Sequence, residues 1–245
     1  MYSDTEGGPL SPRLSDNRLL AALAPRDKAL VQPYLVPRIV GRMEVLFEPG
    51  DDVNTTYFPC RGTMGSLLIV SKEGREVEAA SIGREGAIGG IVSAGHKPAF
   101  GRAVAQIAGP VFSIDTGRLE DAKSRSAAFH DLFSRYADAL LAQMMQSVAC
   151  NALHSIEARC CRWLLATHDR AGDGVILLTQ EALSEMLGVR RTTVSRVAKE
   201  LQARGIIRYG RGQLEILDRA AMQKTACECY AAVENHFARL LPEVA

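Results

Sequence analysis

Two short helical patterns between Thr179 and Gly205, each followed at once by a glycine, constrain the fold of this 245-residue chain most. Thr179 precedes the first pattern, which covers residues 180–187, and its hydroxyl can accept an N–H of the first turn. Gly188 and Gly205 suit the left-handed backbone conformation that ends a helix. Two short helices joined by a glycine-bearing turn predict a helix-turn-helix.

The second helix has an apolar face and a basic face. The apolar positions follow the i, i+3, i+4, i+7 spacing of a buried stripe, namely Val194, Val197, Ala198 and Leu201. The side chains predicted to face outward together are Arg191, Thr192, Ser195, Arg196 and Lys199. Arginine can donate two hydrogen bonds to a guanine in the major groove. This pattern favours a DNA-reading face, and a merely solvated basic face is the alternative.

A predicted hairpin follows, with strands at 206–209 and 213–217 and the tip Gly210-Arg211-Gly212. Such a wing places a cation against the phosphate backbone, and the flanking glycines allow close approach. Arg211 is the predicted wing contact. A structural hairpin in which the arginine has no role is the alternative.

Charge supports the DNA interpretation locally. The chain as a whole has 29 basic and 28 acidic residues. Residues 190–211, however, contain seven basic residues and one acidic residue. Such a block matters more to a polyanion than the total charge. The apolar share of 47% excludes a disordered chain.

The preceding 140 or so residues divide into a strand-rich part and a helical part. Short apolar stretches separated by turn residues predict a β-sandwich or barrel, at 45–47, 56–58, 67–70, 77–82, 103–107 and 111–114. An amphipathic helix of at least five turns is predicted next. Its apolar stripe consists of Phe129, Leu132, Phe133, Tyr136, Leu140, Met144 and Val148. The stripe either packs on its own domain or forms a parallel seam with a second copy. After Asp218 a single last helix is predicted to about Leu241, which either packs on the winged domain or helps dimerisation.

The stretches LTQEAL (178–183), LGVRRTTVSR (187–196) and GII (205–207), with Leu201, resemble the winged helix-turn-helix of the Crp/Fnr superfamily of bacterial transcription regulators. The resemblance spans about residues 38–217. It implies an α+β fold with an N-terminal antiparallel β-roll (a jelly-roll sensor like a cyclic nucleotide-binding domain), a long dimerisation helix and a C-terminal winged helix-turn-helix. The expected divisions are a lead-in (1–37), the sensor (38–117), the dimerisation helix (118–150), the DNA-binding domain (151–218) and a C-terminal helix (219–245).

The function implied by this resemblance is sequence-specific transcription regulation by a cytoplasmic homodimer on an inverted repeat in double-stranded DNA. Arg191 and Arg196 match the family's base- or backbone-contacting arginines, and Thr179 and Thr193 match its phosphate-contacting positions. The family often has Ser and Glu where Arg190 and Thr192 stand, so the preferred half-site should differ. The candidate DNA-binding residues are Thr179, Gln180, Arg190, Arg191, Thr192, Thr193, Ser195, Arg196, Lys199 and Arg211.

Other partners follow from the same resemblance. RNA polymerase is an expected partner if the protein activates transcription. The alternative function is a partner-binding module whose helix-turn-helix contacts protein rather than DNA. No apolar run approaches the ~18–20 residues of a membrane helix, so no membrane association is expected.

The predicted sensor departs from the cyclic-nucleotide pattern. Gly90 stands where the family's ribose-binding glutamate is expected, and Arg102 is the only nearby arginine for a phosphate. We therefore expect no cAMP binding. The effector-binding residues are unknown, and a small molecule or a redox signal stays open.

The six cysteines indicate neither a cofactor nor a metal site. Their spacings are adjacent (Cys160, Cys161) and C-x-C (Cys227, Cys229), unlike the C-x2-C pairs of zinc sites. Only Cys60 precedes residue 150, so an N-terminal iron–sulfur cluster is not expected. We expect free thiols, with a redox-sensing or metal-binding thiol as the alternative.

Haem ligation stays open for His96, His130, His154, His168 or His236. Only His96 lies between residues 38 and 115, too few ligands for a metal enzyme, and no enzyme is expected.

Overall fold

The computed structural model describes residues 12–91, 98–172 and 174–242, so His96 and the first eleven residues of the lead-in lie outside the described residues. The α-helices are α1 (Arg18–Ala22), α2 (Pro25–Val31), α3 (Thr116–Arg125), α4 (Ala127–Leu153), α5 (Ile156–Ala171), α6 (Gln180–Leu187), α7 (Arg191–Ala203), α8 (Arg219–Thr225) and α9 (Cys229–Leu240). The strands are β1 (Val36–Val40), β2 (Glu44–Phe47), β3 (Thr55–Pro59), β4 (Met64–Val70), β5 (Glu76–Ile82), β6 (Arg102–Ile107), β7 (Gly109–Asp115), β8 (Ile176–Leu177), β9 (Ile207–Gly210) and β10 (Gln213–Ile216). Short 3-10 helices lie at Leu14–Asp16 and Gln32–Tyr34.

The N-terminal half is the predicted antiparallel β-roll. One sheet has the order β1-β7-β3 and the other the order β2-β6-β4-β5. The six predicted apolar stretches fall in β2 to β7. Buried side chains from both sheets, such as Phe58 and Ala103, form its core with α1, α3 and α4. The strand β1 begins at Val36, two residues before the expected start of the sensor.

The expected dimerisation helix over 118–150 is divided in the structure into α3 and α4. Ser126 separates them, because its extended backbone ends α3 and its side chain accepts the Phe129 N–H as the N-cap of α4. The helix α4 then runs for 27 residues, to Leu153. The long helix is therefore confirmed, with its start and end shifted.

The helix α4 has two apolar stripes. The inner stripe, from Phe129 to Leu140, is buried against the β-roll. Within it, the Tyr136 hydroxyl donates to the Ala87 carbonyl at 3.0 Å. The outer stripe, at heptad spacing, is Leu141, Met145 and Val148, whose exposed fractions are 54, 64 and 71%. The sequence had predicted Val148 on the same single stripe as Phe129 and Leu140. The inner stripe packs on its own domain, which was one of the two alternatives for this helix. The outer stripe is the face available for the other alternative, a seam with a second copy, and it is uncovered in the single chain.

The chain after Asp218 forms two helices rather than the single helix predicted. Ala226 adopts an extended conformation, φ −66° and ψ 153°, which ends α8. The helix α9 packs along α4 and α5, and Phe237 joins the core of the β-roll. Among the described residues, no helix combines the length and apolar content needed to cross a membrane.

The C-terminal half packs on the four-stranded sheet through buried polar contacts. Trp163 in α5 donates its indole N–H to Glu78 in β5 at 2.9 Å. Arg170, also in α5, contacts one carboxylate oxygen of Glu85 through Nε and Nη2, each at 2.8 Å. The Arg170 and Glu85 side chains are only 7% and 12% exposed. Burial opposes the charged form of Glu85, but Arg170 and the Gly83 N–H outweigh it and hold the pKa of this carboxyl below its ordinary value.

Candidate nucleic-acid interface

The helices α6 and α7 form the predicted helix-turn-helix. Thr179 Oγ1 accepts the Ala182 N–H at 3.1 Å, which is the predicted N-cap of α6. Gly188, directly after α6, has φ +65°, and Gly205, two residues after the last residue of α7, has φ +69°. Both adopt the left-handed conformation that typically follows the end of a helix. Within the described residues, the Arg190 side chain makes no capping bond to α7, so its guanidinium is available for other contacts.

The apolar face of α7 is anchored in the protein. Its four predicted core side chains are at most 3% exposed, namely Val194, Val197, Ala198 and Leu201. The side chains of Arg191, Thr192, Arg196 and Lys199 are exposed on the opposite side. Burial of one face therefore holds the basic face of α7 toward solvent.

Ser195 and Gln180 form a contact between the two helices. Ser195 Oγ donates to Gln180 Oε1 at 2.5 Å, and both residues are half-buried. This bond links α6 to α7 in addition to their apolar packing. Ser195 thus already has a partner within the motif, which the spacing along α7 alone does not reveal.

Carboxylates flank the basic face. Arg191 Nε lies 3.7 Å from Glu181 Oε2 in α6, and Arg196 Nη1 lies 3.0 Å from Glu200 Oε1 one turn away. These pairs are exposed and cost little to break. Sequence reasoning missed Glu181 because it considered the charges of α7 separately from those of α6.

Two further cations of the basic block form ion pairs with carboxylates at the protein surface. Arg204 pairs with Glu157 and donates to Thr225, and Arg208 pairs with Glu215 at 2.7 Å. Arg190, Lys199 and Arg211, in contrast, make no ion pair with another described residue. The block is therefore less uniform than its composition indicates.

The strands β9 and β10 form the predicted wing, with β8 as a third strand on β10. The tip is tighter than predicted, because Gly210 belongs to β9 and only Arg211 and Gly212 form the turn. Both have positive φ, +51° and +75°, as in the two-residue turns typical of hairpins. The Leu178 N–H donates to the Gly212 carbonyl at 2.8 Å. This bond places the Arg211 turn beside Thr179 at the N-terminus of α6.

Two features of the sensor bear on cyclic-nucleotide binding. Arg102 is already held by Glu48 at 2.7 Å and by Glu76. A Cβ at position 90 would lie 3.0 Å from Ala87 Cβ and 3.1 Å from Phe133 Cε1, so a side chain there would be crowded. Residues 92–97, which complete this region, lie outside the described residues.

The fold also brings together four potential metal ligands, where the spacing of the cysteines indicated none. The ligand atoms of Cys150, His154, Cys227 and Cys229 all lie within 4.8 Å of one another. Burial raises the pKa of the Cys150 thiol, and that of Cys227 to about 12. The signal was hidden because the C-x-C pair is completed by residues more than 70 positions earlier.

A comparison with family models matches residues 158–225 to the Crp-like helix-turn-helix domain. A comparison with the curated proteins gave no match. Similar solved structures include FixK2 from Bradyrhizobium japonicum, with 18% identity, 79% of this chain and 98% of that chain covered, and a TM-score of 0.67. A Crp/Fnr-family regulator from Eubacterium rectale has 19% identity, 84% and 96% coverage and a TM-score of 0.61. The c-di-GMP-responsive regulator CLP from Xanthomonas campestris has 17% identity, 80% and 100% coverage and a TM-score of 0.60.

At these identities the solved structures establish the fold, while the family model identifies the Crp-like helix-turn-helix domain within it. Residues 158–225 include the predicted helix-turn-helix and wing. The chain therefore carries a Crp-like helix-turn-helix domain at residues 158–225, within a fold that resembles those of these solved structures.

Proposed function

We propose that this protein is a homodimeric, sequence-specific DNA-binding transcription regulator. The observation that carries the proposal is the exposed basic face of α7, whose opposite face is buried and whose neighbour is a wing tipped by Arg211. The family model that matches describes a helix-turn-helix domain and not an enzyme.

The outer stripe of α4 supports a dimer. Leu141, Met145 and Val148 expose a continuous apolar line in a single chain, and a parallel pairing of two α4 helices would bury it. A two-fold axis along α4 would relate two copies of α7, and helix-turn-helix dimers of this kind read half-sites about 34 Å apart. The site we propose is accordingly an inverted repeat in double-stranded DNA.

The proposed contacts divide by chemistry. Arg191 and Arg196 would read base edges, with Lys199 beside them. The proposed phosphate contacts lie at the helix starts and the wing, namely Thr179, Gln180, Arg190, Thr193 and Arg211. Thr192 offers no carboxylate to a cytosine amino group, so the preferred half-site would differ from that of relatives with Glu at this position. Ser195 would act by holding Gln180 rather than by touching a base.

The rest of the chain fits a sensor coupled to this DNA-binding part. We propose β1 to β7 as the sensor, α4 as the dimerisation helix, and α5 to α8 as the DNA-binding domain. The Arg102 pairs and the crowding at Gly90 support a sensor that does not bind cAMP. RNA polymerase would be a further partner if the regulator activates transcription.

Salt dependence separates this function from its alternative. Duplexes selected from a random pool should bind with an affinity that falls steeply as salt rises, because each neutralised phosphate releases condensed cations. Fluorescence anisotropy at several salt concentrations would measure the slope. A flat response, or failure to select any duplex, would instead favour a helix-turn-helix that contacts protein.

Arg191→Ala and Arg211→Ala should weaken DNA binding in different ways. The first should cost about 1–3 kcal/mol at each half-site and relax base preference there, since a bidentate contact is lost. The second should weaken all duplexes alike and reduce the salt slope by about one per protomer. Arg125→Ala, at an exposed site on α3, is the control for the loss of one charge. An unchanged preferred sequence in Arg191→Ala would show that Arg191 does not read bases.

A further inference from the structure

Four potential metal ligands meet where the end of α4 contacts the start of α9. Cys150 lies in the last turn of α4, and His154 is the residue that ends this helix. Cys227 lies between α8 and α9, and Cys229 is the first residue of α9. The three cysteines are at most 7% exposed and form a small buried cluster separate from the two main cores. Nothing in the proposed DNA-binding function requires this arrangement.

The spacing of the four ligand atoms fits one metal ion. Cys150 Sγ and Cys227 Sγ are 3.5 Å apart, and Cys229 Sγ lies 3.4 Å from His154 Nδ1. A tetrahedral zinc ion with Zn–S bonds of about 2.3 Å would place its sulfur ligands about 3.8 Å apart. A [4Fe–4S] cluster binds its thiolates at the outer corners of a cube and needs wider separations than the 4.8 Å limit of this group.

The groups around the cluster are those that support a metal-bound histidine and thiolates. His154 Nε2 lies 3.0 Å from Glu228 Oε1. This contact keeps the proton on Nε2, so the Nδ1 lone pair is directed toward the cysteines, as in the carboxylate–histidine–zinc arrangement. The side-chain amide of Gln146 donates to Cys229 Sγ at 3.0 Å. Both contacts would orient ligands and disperse thiolate charge.

Two guanidiniums lie close enough to balance the charge of such a site. Three thiolates, a neutral imidazole and Zn²⁺ together carry one negative charge. Arg162 interacts electrostatically with Cys150, and Arg159 with both Cys150 and Cys227. The Nε atoms of both arginines are buried, and neither Nε atom has a hydrogen-bond partner among the described residues, while Arg159 Nη2 donates to the Leu187 carbonyl at 2.7 Å.

We propose that Cys150, His154, Cys227 and Cys229 bind one zinc ion. Thiolate ligands in the majority and a four-coordinate N/S set select zinc over magnesium, calcium or manganese. Because all four positions are protein ligands, the site is structural rather than catalytic. The ion fastens the C-terminal end of α4 to the start of α9, next to Ser155, where the chain passes from α4 into α5. Zinc therefore fixes the junction between the proposed dimerisation helix and the DNA-binding part.

Metal content tests the proposal directly. Full-length protein without a histidine tag, purified with a thiol reductant and no chelator, should contain about one zinc per chain by mass spectrometry of the elements. Cys150→Ser and Cys229→Ser should lose most of it. Cys160→Ser is the matched control, since Cys160 is equally buried but lies outside the cluster.

Cobalt(II) and Glu228→Gln keep the test decisive if the cysteine variants fail to fold. Cobalt(II) added to metal-free wild-type protein should give the thiolate charge-transfer and ligand-field bands of a tetrahedral sulfur-rich site. Glu228→Gln should weaken zinc binding about 10–100-fold without changing the stoichiometry at saturating zinc. If the four side chains only pack together without binding metal, Glu228→Gln should not alter zinc affinity.

Three results would overturn the proposal. They are folded wild-type protein that holds no zinc and gives no cobalt spectrum, protein that contains iron with labile sulfide, and a Cys150–Cys227 disulfide in protein kept under reductant. None of these measurements involves DNA, so the zinc site and the DNA-binding function stand or fall separately.

Discussion

Met145→Glu should convert the proposed dimer to a monomer and weaken the proposed binding to an inverted-repeat duplex about 100-fold or more. Met145 is 64% exposed in the single chain and lies at the centre of the outer stripe of α4. In a parallel pair of α4 helices, the side chains at position 145 of the two chains would face each other. Two carboxylates would then have to leave water side by side, and like charges in a desolvated seam are strongly unfavourable.

The loss of DNA affinity follows from the loss of linkage. Two connected recognition helices bind with an avidity that exceeds the affinity of one by a factor of 10²–10⁴, roughly. Analytical ultracentrifugation would measure the oligomeric state, and anisotropy with full and half sites would measure affinity. Ile39→Glu, which alters another exposed apolar side chain, on β1, is the control. A Met145→Glu protein that remains a dimer would place the dimer interface elsewhere.

Glu85→Leu should lower the free energy of unfolding by about 3 kcal/mol or more at neutral pH. It leaves Arg170 charged and buried without its carboxylate, and removing one partner of a buried ion pair costs about 3–5 kcal/mol. The double variant Glu85→Leu/Arg170→Met removes both charges and should recover much of this loss. Urea unfolding at fixed protein concentration would measure the free energy of unfolding of the wild type, the single variant and the double variant.

The same pair predicts a pH dependence. The folded-state pKa of Glu85 lies below its ordinary value, so the carboxylate contributes stability above the unfolded pKa of about 4.3. That contribution is lost as the pH falls through the folded pKa. The difference between wild type and Glu85→Leu should therefore be largest at neutral pH and shrink below about pH 4. Glu73→Ala, which breaks an exposed pair with Arg75, should change stability by less than about 1 kcal/mol at either pH. Equal stability of wild type and Glu85→Leu at neutral pH would show that the contact contributes nothing.

The helix-turn-helix and the strands were predictable because their signals are local. Thr179 caps α6 through an N–H three residues away, and Gly188 ends it through its own backbone conformation. Strands were recognisable from apolar stretches bounded by turn residues. Where a local signal was weak, as at Ser126 or Ala226, the sequence predicted one helix and the structure has two.

Contacts between distant residues were not predictable in this way. Periodicity placed apolar residues on α4 but could not tell the inner stripe from the outer one, because both faces carry them. It assigned Ser195 to the reading face, whereas the approach of α6 gives this hydroxyl to Gln180. The acid beside Arg191 was missed for the same reason.

The sequence by itself determined the order of parts, the helix ends in the helix-turn-helix and the basic face of α7, since capping, glycine conformation and periodicity act over a few residues. Only the tertiary structure decided which face of α4 is covered, that Glu85 meets Arg170, 85 positions later, and that Cys150 meets Cys227, 77 positions later. Such meetings depend on the path of the whole chain, because two side chains far apart in sequence come together only when every element between them has packed.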